Sequence, residues 1–301
     1  MKDRILVTGS EGLVGRALSA TLEERGNEIV GLDRRGAGSE CGDVRDARQA
    51  RAVVAGCRGI IHLAAVSRVV WAERAPDECR STNIGGLCCI LEVAIEQPER
   101  PWVLFASSRE VYGQPRRLPA TEETPLSPVN VYGRSKVEGE RLVEEARAGG
   151  LRTATVRLSN VYGSALDHAD RVVPAFARAA VEGSAIRIDG AECTFDFTHI
   201  DDTVRGMIAV TERLEVGGTL PPIHLLTGTP TTLRDLAAIA TTFAGKRLPV
   251  VGAPPRPFDV SHFHGDPSRA RELLGWAPRV GLRDGFERLV RDLRARFGAI
   301  E

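Results

Sequence analysis

Tyr132-Gly133-Arg134-Ser135-Lys136 places a phenol and an ammonium four residues apart. On a helix, positions i and i+4 share one face. An ammonium beside a phenol stabilises the phenolate, lowers its pKa and makes it a base near neutral pH. Lysine is scarce in this chain, occurring only at Lys2, Lys136 and Lys246, so its position here is informative. Upstream, Ser107-Ser108-Arg109-Glu110-Val111-Tyr112-Gly113 leaves the apolar run Trp102–Ala106. Catalytic groups of open parallel sheets sit at the C-terminal ends of central strands. Ser108 is therefore placed to hydrogen-bond the substrate oxygen that Tyr132 deprotonates.

A second group of residues reads as a binding turn. Thr8-Gly9-Ser10-Glu11-Gly12-Leu13-Val14-Gly15 follows a strand-like run and opens a helical pattern. Glycine permits the tight turn and lets backbone N–H groups approach a pyrophosphate at the helix N-terminus. Asp33 ends the next strand, where a carboxylate accepts both ribose hydroxyls and repels a 2′-phosphate; this favours NAD, although Arg34 and Arg35 follow directly. Asp43 and Val44 sit where the next loop would reach an adenine edge, or Asp43 caps the helix that follows. Leu63, Ala64 and Ala65 end a further strand with small residues that allow close approach of the cofactor.

The elements that must position these groups alternate along the first half. Strands are predicted at Arg4–Thr8, Glu28–Leu32, Gly59–Leu63, Trp102–Ala106 and Arg152–Leu158, and helices at Leu13–Arg25, Arg45–Val54, Asn83–Glu96 and Tyr132–Arg147. Continuous apolar strands alternating with helices imply an α/β fold, a Rossmann-type doubly wound parallel sheet. A smaller C-terminal α+β substrate lobe is expected from 165–196 and 229–301, with surface helices at Thr232–Phe243 and Leu282–Arg296. The dinucleotide-binding domain is expected to take 1–164 and 197–228.

The 301 residues are enough for such a core, and 43% are apolar. Formal net charge is zero, so no global attraction toward nucleic acid or an anionic membrane is expected. No apolar run has the length of a membrane span, and MKDRILVTGS lacks the pattern of a signal peptide. Six cysteines without a CxxC pair read as reduced thiols of a cytoplasmic protein. His262 and His264 alternate, but no third ligand is evident and no metal is expected.

Taken in order, these motifs resemble the extended short-chain dehydrogenase/reductases, in the NAD-dependent epimerase/dehydratase family of nucleotide-sugar enzymes. TGSEGLVG, HLAA, Asn83-Ile84-Gly85-Gly86, SSREVYG, YGRSK, Arg157–Gly163, Asp196–Asp202 and Leu273–Pro278 follow the family order across nearly the whole chain. The resemblance implies Ser108, Tyr132 and Lys136 as the catalytic set. It implies cofactor contacts from Gly9, Glu11, Gly12, Leu13, Val14, Gly15, Asp33, Asp43, Val44, Leu63, Ala64, Ala65, Asn83, Tyr132 and Lys136, with Leu158 and Ser159 near the nicotinamide. A sugar would be oxidised transiently to a 4-keto intermediate and then epimerised, dehydrated or decarboxylated. Glu110 stands where the family's dehydratases and decarboxylases carry a catalytic Glu; alternatively it pairs with Arg109.

On the substrate side the resemblance points to Ser67, Ser108, Arg109, Asn160, Arg171 and Arg256. Phe195 occupies the slot of a family arginine that grips the diphosphate, and phenylalanine cannot supply bidentate recognition. A nucleotide sugar is the favoured substrate, with a smaller non-nucleotide polyol as the alternative. A net NAD(P)-dependent reductase and a non-catalytic dinucleotide sensor are the competing classes. The helices at Asn83 and Tyr132 resemble those that pair across family homodimers, so a homodimer is expected.

Overall fold

The computed structural model describes residues 4–298. In chain order its elements are β1 (Arg4–Thr8), α1 (Leu13–Glu24), β2 (Glu28–Leu32), α2 (Ala47–Val54), β3 (Gly59–His62), α3 (Val69–Arg74), α4 (Pro76–Arg80) and α5 (Gly86–Glu96). They continue with β4 (Trp102–Ser108), α6 (Val131–Ala148), β5 (Thr153–Leu158), β6 (Asn160–Tyr162), α7 (Val172–Glu182), β7 (Ile186–Asp189), β8 (Thr194–His199) and α8 (Ile200–Glu215). Last come β9 (Ile223–Leu225), β10 (Pro230–Thr232), α9 (Leu233–Ala244), β11 (Val250–Ala253), α10 (Ser268–Leu274) and α11 (Leu282–Gly298). Lys2 lies outside the described residues.

The main sheet has six parallel strands in the order β2-β1-β3-β4-β5-β9. Its inner strands are mostly apolar because helices cover both faces, with polar residues frequent at their C-terminal ends. On one face Ile5, Val7, Leu104 and Val156 pack against Leu18 and Leu22 of α1 and Val204, Met207 and Ile208 of α8. On the other, Leu6, Ile60, Val103 and Phe105 meet Leu87, Ile90 and Val143 of α5 and α6. Ala270 and Trp276 reach back into the first of these cores, although the sequence division puts 229–301 with the smaller lobe. A third core joins α7, α9 and α11 through Phe176, Leu236 and Phe286, over the small pairs β11-β7 and β10-β8-β6.

Differences from the predicted boundaries have local causes. The helix expected from Arg45 starts at Ala47, because the Asp46 carboxylate accepts the N–H groups of Arg48 and Gln49 and so becomes the N-cap. The helix expected from Asn83 is preceded by a wide turn over Ser81–Gly85 and becomes regular at Gly86. The strand from Trp102 runs on to Ser108, which carries the hydroxyl to the sheet edge. Asn130 caps α6 through the Gly133 N–H, and that fixes where Tyr132 enters the helix.

Candidate active site

The ends of β1, β3, β4 and β5 open onto one cleft of about 570 Å³, walled on its far side by α7 and β8. At one end stands the glycine turn. Gly9 has φ of +71°, and a Cβ there would lie 2.8 Å from the Ala64 nitrogen; a Cβ at Gly15 would lie 2.2 Å from the Gly9 carbonyl oxygen. No other residue fits this approach of the turn to the α1 terminus. The Thr8 hydroxyl, not singled out by sequence, accepts the N–H groups of Leu63 and Ala64 at 3.2 Å each and so ties the β1 and β3 ends together. His62 bonds this same hydroxyl at 3.0 Å, and burial holds its imidazole neutral, its pKa pushed down to about 3.

Asp33 faces the turn: the Glu11 N–H donates to its Oδ2 at 3.1 Å, and the Arg35 N–H donates to its Oδ1 at 2.8 Å. Arg34 is engaged by Glu78 at 2.8 Å. Both arginines that could have greeted a 2′-phosphate therefore have acidic partners. These donors and this acid fit NAD, with the turn for its pyrophosphate and Asp33 for its ribose.

Gly9, Gly12, Leu13, Val14, Gly15, Leu63, Ala65, Leu158 and Ser159 line the cleft as expected of a cofactor wall. Glu11, Asp33, Asp43, Val44, Ala64 and Asn83 stand outside that lining. Asp43 is held from within its own loop: Arg45 donates to both its oxygens, at 2.9 and 2.6 Å, and holds its carboxyl below the usual range. Val44 is buried against Gly86. Asn83 is a positioning residue, accepting the Val66 N–H at 2.7 Å and donating to Ser135 Oγ at 2.9 Å.

At the chemical end Ser108, Tyr132 and Lys136 line the same cleft, and all three are buried. Lys136 Nζ donates to the Ala106 carbonyl at 2.7 Å and lies 5.7 Å from the Tyr132 ring centroid. The shared helix face is as read from the spacing, but the lowered phenol pKa is not. Burial pushes the Tyr132 phenol up to about 12, against the downward pull of a hydrogen bond with Ser108. Burial likewise pushes the Lys136 ammonium down to about 8. Desolvation outweighs the neighbouring charge because both groups sit deep beneath β4.

Behind the site runs a polar network. Ser107 donates to Glu140 at 2.5 Å, and Arg157 grips both Glu140 oxygens at 2.9 and 2.7 Å. Arg157 also donates to the Tyr112 hydroxyl at 2.7 Å. Asp196 is wholly buried, its carboxylate accepting the Thr227 N–H, the Thr227 hydroxyl and the Gly228 N–H. Its own carbonyl accepts the Ser159 hydroxyl at 2.6 Å.

Ser67, Arg109, Asn160, Arg171 and Arg256 all line the cleft. Glu110 departs from the role of a free acid or base: Arg109 Nη2 lies 2.9 Å from its Oε1, and Asn130 Nδ2 donates to its Oε2 at 2.7 Å. Arg171 and Arg256 have acidic neighbours in Asp167 and Asp259, at 3.7 and 2.7 Å. Sequence reading missed Arg187, whose signal is the outward position on the alternating strand Ile186–Asp189. It also missed the two-fold pairing of Arg68 with Asp170, at 2.6 and 3.0 Å, for which no local signal exists.

A dinucleotide-binding turn and a Ser–Tyr–Lys set on one doubly wound sheet define a class of nicotinamide-dependent enzyme. The family model of the NAD dependent epimerase/dehydratase family matches residues 5–221, and the chain belongs to that family. The UDP-glucose 4-epimerase of Mycolicibacterium smegmatis is 31% identical over 97% of this chain and 98% of its own. Among solved structures, the UDP-glucose 4-epimerase of Thermotoga maritima with UDP-glucose superposes with a TM-score of 0.91 at 28% identity, covering 98% and 99% of the two chains. MoeE5 in complex with UDP-glucuronic acid and NAD superposes at 0.90 with 25% identity, covering 97% and 99%. The chain is thus an NAD-dependent epimerase/dehydratase enzyme. Among the described residues no helix is long and apolar enough to cross a membrane.

Proposed function

We propose that the protein is a nucleotide-sugar 4-epimerase working through a transient 4-keto sugar. The observation that carries this choice over elimination or decarboxylation is the engagement of both Glu110 oxygens, by Arg109 and by Asn130. Each oxygen thus already holds a protein donor, and elimination would ask this same carboxylate to work at C5 as well.

Tyr132 takes the proton of the C4 hydroxyl as that carbon becomes a ketone. Ser108 hydrogen-bonds the same oxygen and holds it against the phenol. Lys136 keeps a positive charge beneath the phenol below its pKa. Bound NAD supplies hydride acceptance and return, and its positive ring favours the phenolate. Tyr132 then gives the proton back to C4 oxygen, so the atoms of the sugar are conserved and only its configuration changes. Arg171, Arg187 and Arg256 line the cleft, each beside an aspartate, and would have to turn from it to meet a diphosphate where Phe195 cannot act.

The domain division at 1–164 with 197–228 against 165–196 with 229–301, the site roles above, a homodimer through α5 and α6, and a cytoplasmic location that keeps the cysteines reduced are parts of the same reading. Light scattering at micromolar concentration checks the dimer by its mass. The function itself is tested by incubating the enzyme with UDP-glucose and UDP-glucuronate in D2O and following products by NMR. Epimerisation gives the C4 epimer with every carbon-bound hydrogen retained. Deuterium at C5, a 6-deoxy-4-keto product or a pentose would overturn the choice. A polyol without a nucleotide turning over in place of both would point to the alternative that Phe195 favours.

A further inference from the structure

Arg109 is an unusual cation for a pocket wall. It is 6% exposed, and its guanidinium lies over two aromatic rings, 5.2 Å from the Phe195 centroid and 5.6 Å from that of Phe263. Stacking of this kind fixes the plane of the guanidinium. Nη2 is satisfied by Glu110 at 2.9 Å, but Nη1 is buried with no protein partner. A charged donor left in that state is costly, so a site that keeps one is built to meet an acceptor. Charge points the same way. Asn130 already satisfies the second Glu110 oxygen, and Lys136 and Arg171 line the same cleft, so the wall around Arg109 can take a further negative charge.

Position then limits which part of a sugar arrives there. Arg109 directly follows Ser108 and lines the cleft beside Ser108 and Tyr132, where the reacting C4 oxygen must sit. The phosphate-bearing C1 lies across the ring from C4. The ring neighbours of C4 carry a hydroxyl on C3 and a one-carbon group on C5. Of these, only the C5 group changes between a neutral hydroxymethyl and an anionic carboxylate.

We propose that Arg109 is a specificity-determining residue that pairs through Nη1 with a carboxylate on C5, so the preferred substrate is a nucleotide-linked uronic acid. This rests on the 4-epimerase reading and deepens it. Charge-assisted pairing with a buried guanidinium favours the acid over its neutral counterpart by about tenfold to a hundredfold.

The test uses NAD-loaded enzyme and the ratio of kcat/KM for UDP-glucuronate to that for UDP-glucose. The wild type is expected to give a ratio of at least ten. In Arg109→Gln, which keeps a polar side chain but loses the charge, the ratio is expected to fall at least tenfold, chiefly through the KM of the acid. A wild-type ratio at or below one, or an unchanged ratio in the variant, overturns the assignment while leaving 4-epimerisation standing. Should neither sugar turn over, the epimerase reading fails, and calorimetric Kd values of the two nucleotide sugars on wild type decide the matter for Arg109. Tighter binding of the acid supports it, and equal binding overturns it. Those same binding measurements decide if Arg109→Gln does not fold.

Discussion

Lys136 is buried, and its ammonium is displaced from the ordinary 10.5 to about 8, chiefly by desolvation. That displacement corresponds to roughly 3 kcal/mol of folding free energy. The sign is opposite to that of a lysine gaining a partner. Below pH 8 both folded and unfolded chains hold the proton, and the folded state carries the full burial cost. Between pH 8 and 10.5 the folded lysine is neutral while the unfolded one is still charged. The unfolded state then binds more protons, and stability rises with pH by up to ~1.4 kcal/mol per unit. Above 10.5 the contribution is flat. Replacing Lys136 with Met removes this group and its slope. Cys57 and Tyr132, both raised by burial, titrate in the alkaline range too, but they are present in both proteins and largely cancel in the comparison. The assay is urea unfolding of cofactor-free protein at half-unit steps from pH 7.5 to 10.5. Stability of Lys136→Met minus that of wild type is expected to fall by roughly 3 kcal/mol across this range. Parallel stability curves for the two proteins would refute the depressed pKa of the buried ammonium.

Three further outcomes follow from the geometry. Tyr132→Phe should lose activity by about 10²- to 10⁴-fold while keeping its fold and its bound NAD, checked by turnover together with absorbance of the released cofactor. Gly15→Ala puts a methyl 2.2 Å from the Gly9 carbonyl, so NAD retention should be lost and the melting temperature should drop; an unaltered melting temperature with full NAD content contradicts the tight turn. Asp196→Asn turns one acceptor into a donor facing N–H groups and should cost about 3 kcal/mol, read as an earlier urea midpoint with an unchanged slope.

The parallel sheet was readable because its strands are continuous apolar runs, and the glycine turn because its spacing follows one run and opens a helix. Tyr132 and Lys136 were placed on one helix face by spacing alone. What spacing does not encode is depth. Burial under β4 sets both pKa values and reverses the expected shift of the phenol. The pairing of Glu110 with Arg109 was legible as one of two alternatives, but its second bond, to Asn130, was not, because the two residues lie twenty apart in the chain. Arg109 stacks on Phe195 and Phe263, and Arg68 meets Asp170; such partners lie far apart in the chain and leave no local pattern. The pairing of Asp43 with Arg45, only two residues away, was likewise not read from the sequence.

Asp196 has a consequence for how the site comes together. Its carboxylate holds the chain at 227–228 while its carbonyl holds Ser159 at the cofactor wall. The Gly265 N–H also approaches it, at 3.5 Å. The pyrophosphate turn already draws on residues from Gly9 to Ala64, and the wall around Ser159 adds Asp196 and the chain at 227–228 and 265. Both walls of the cleft therefore depend on contacts between distant parts of the chain, and the site is assembled only when those parts have met.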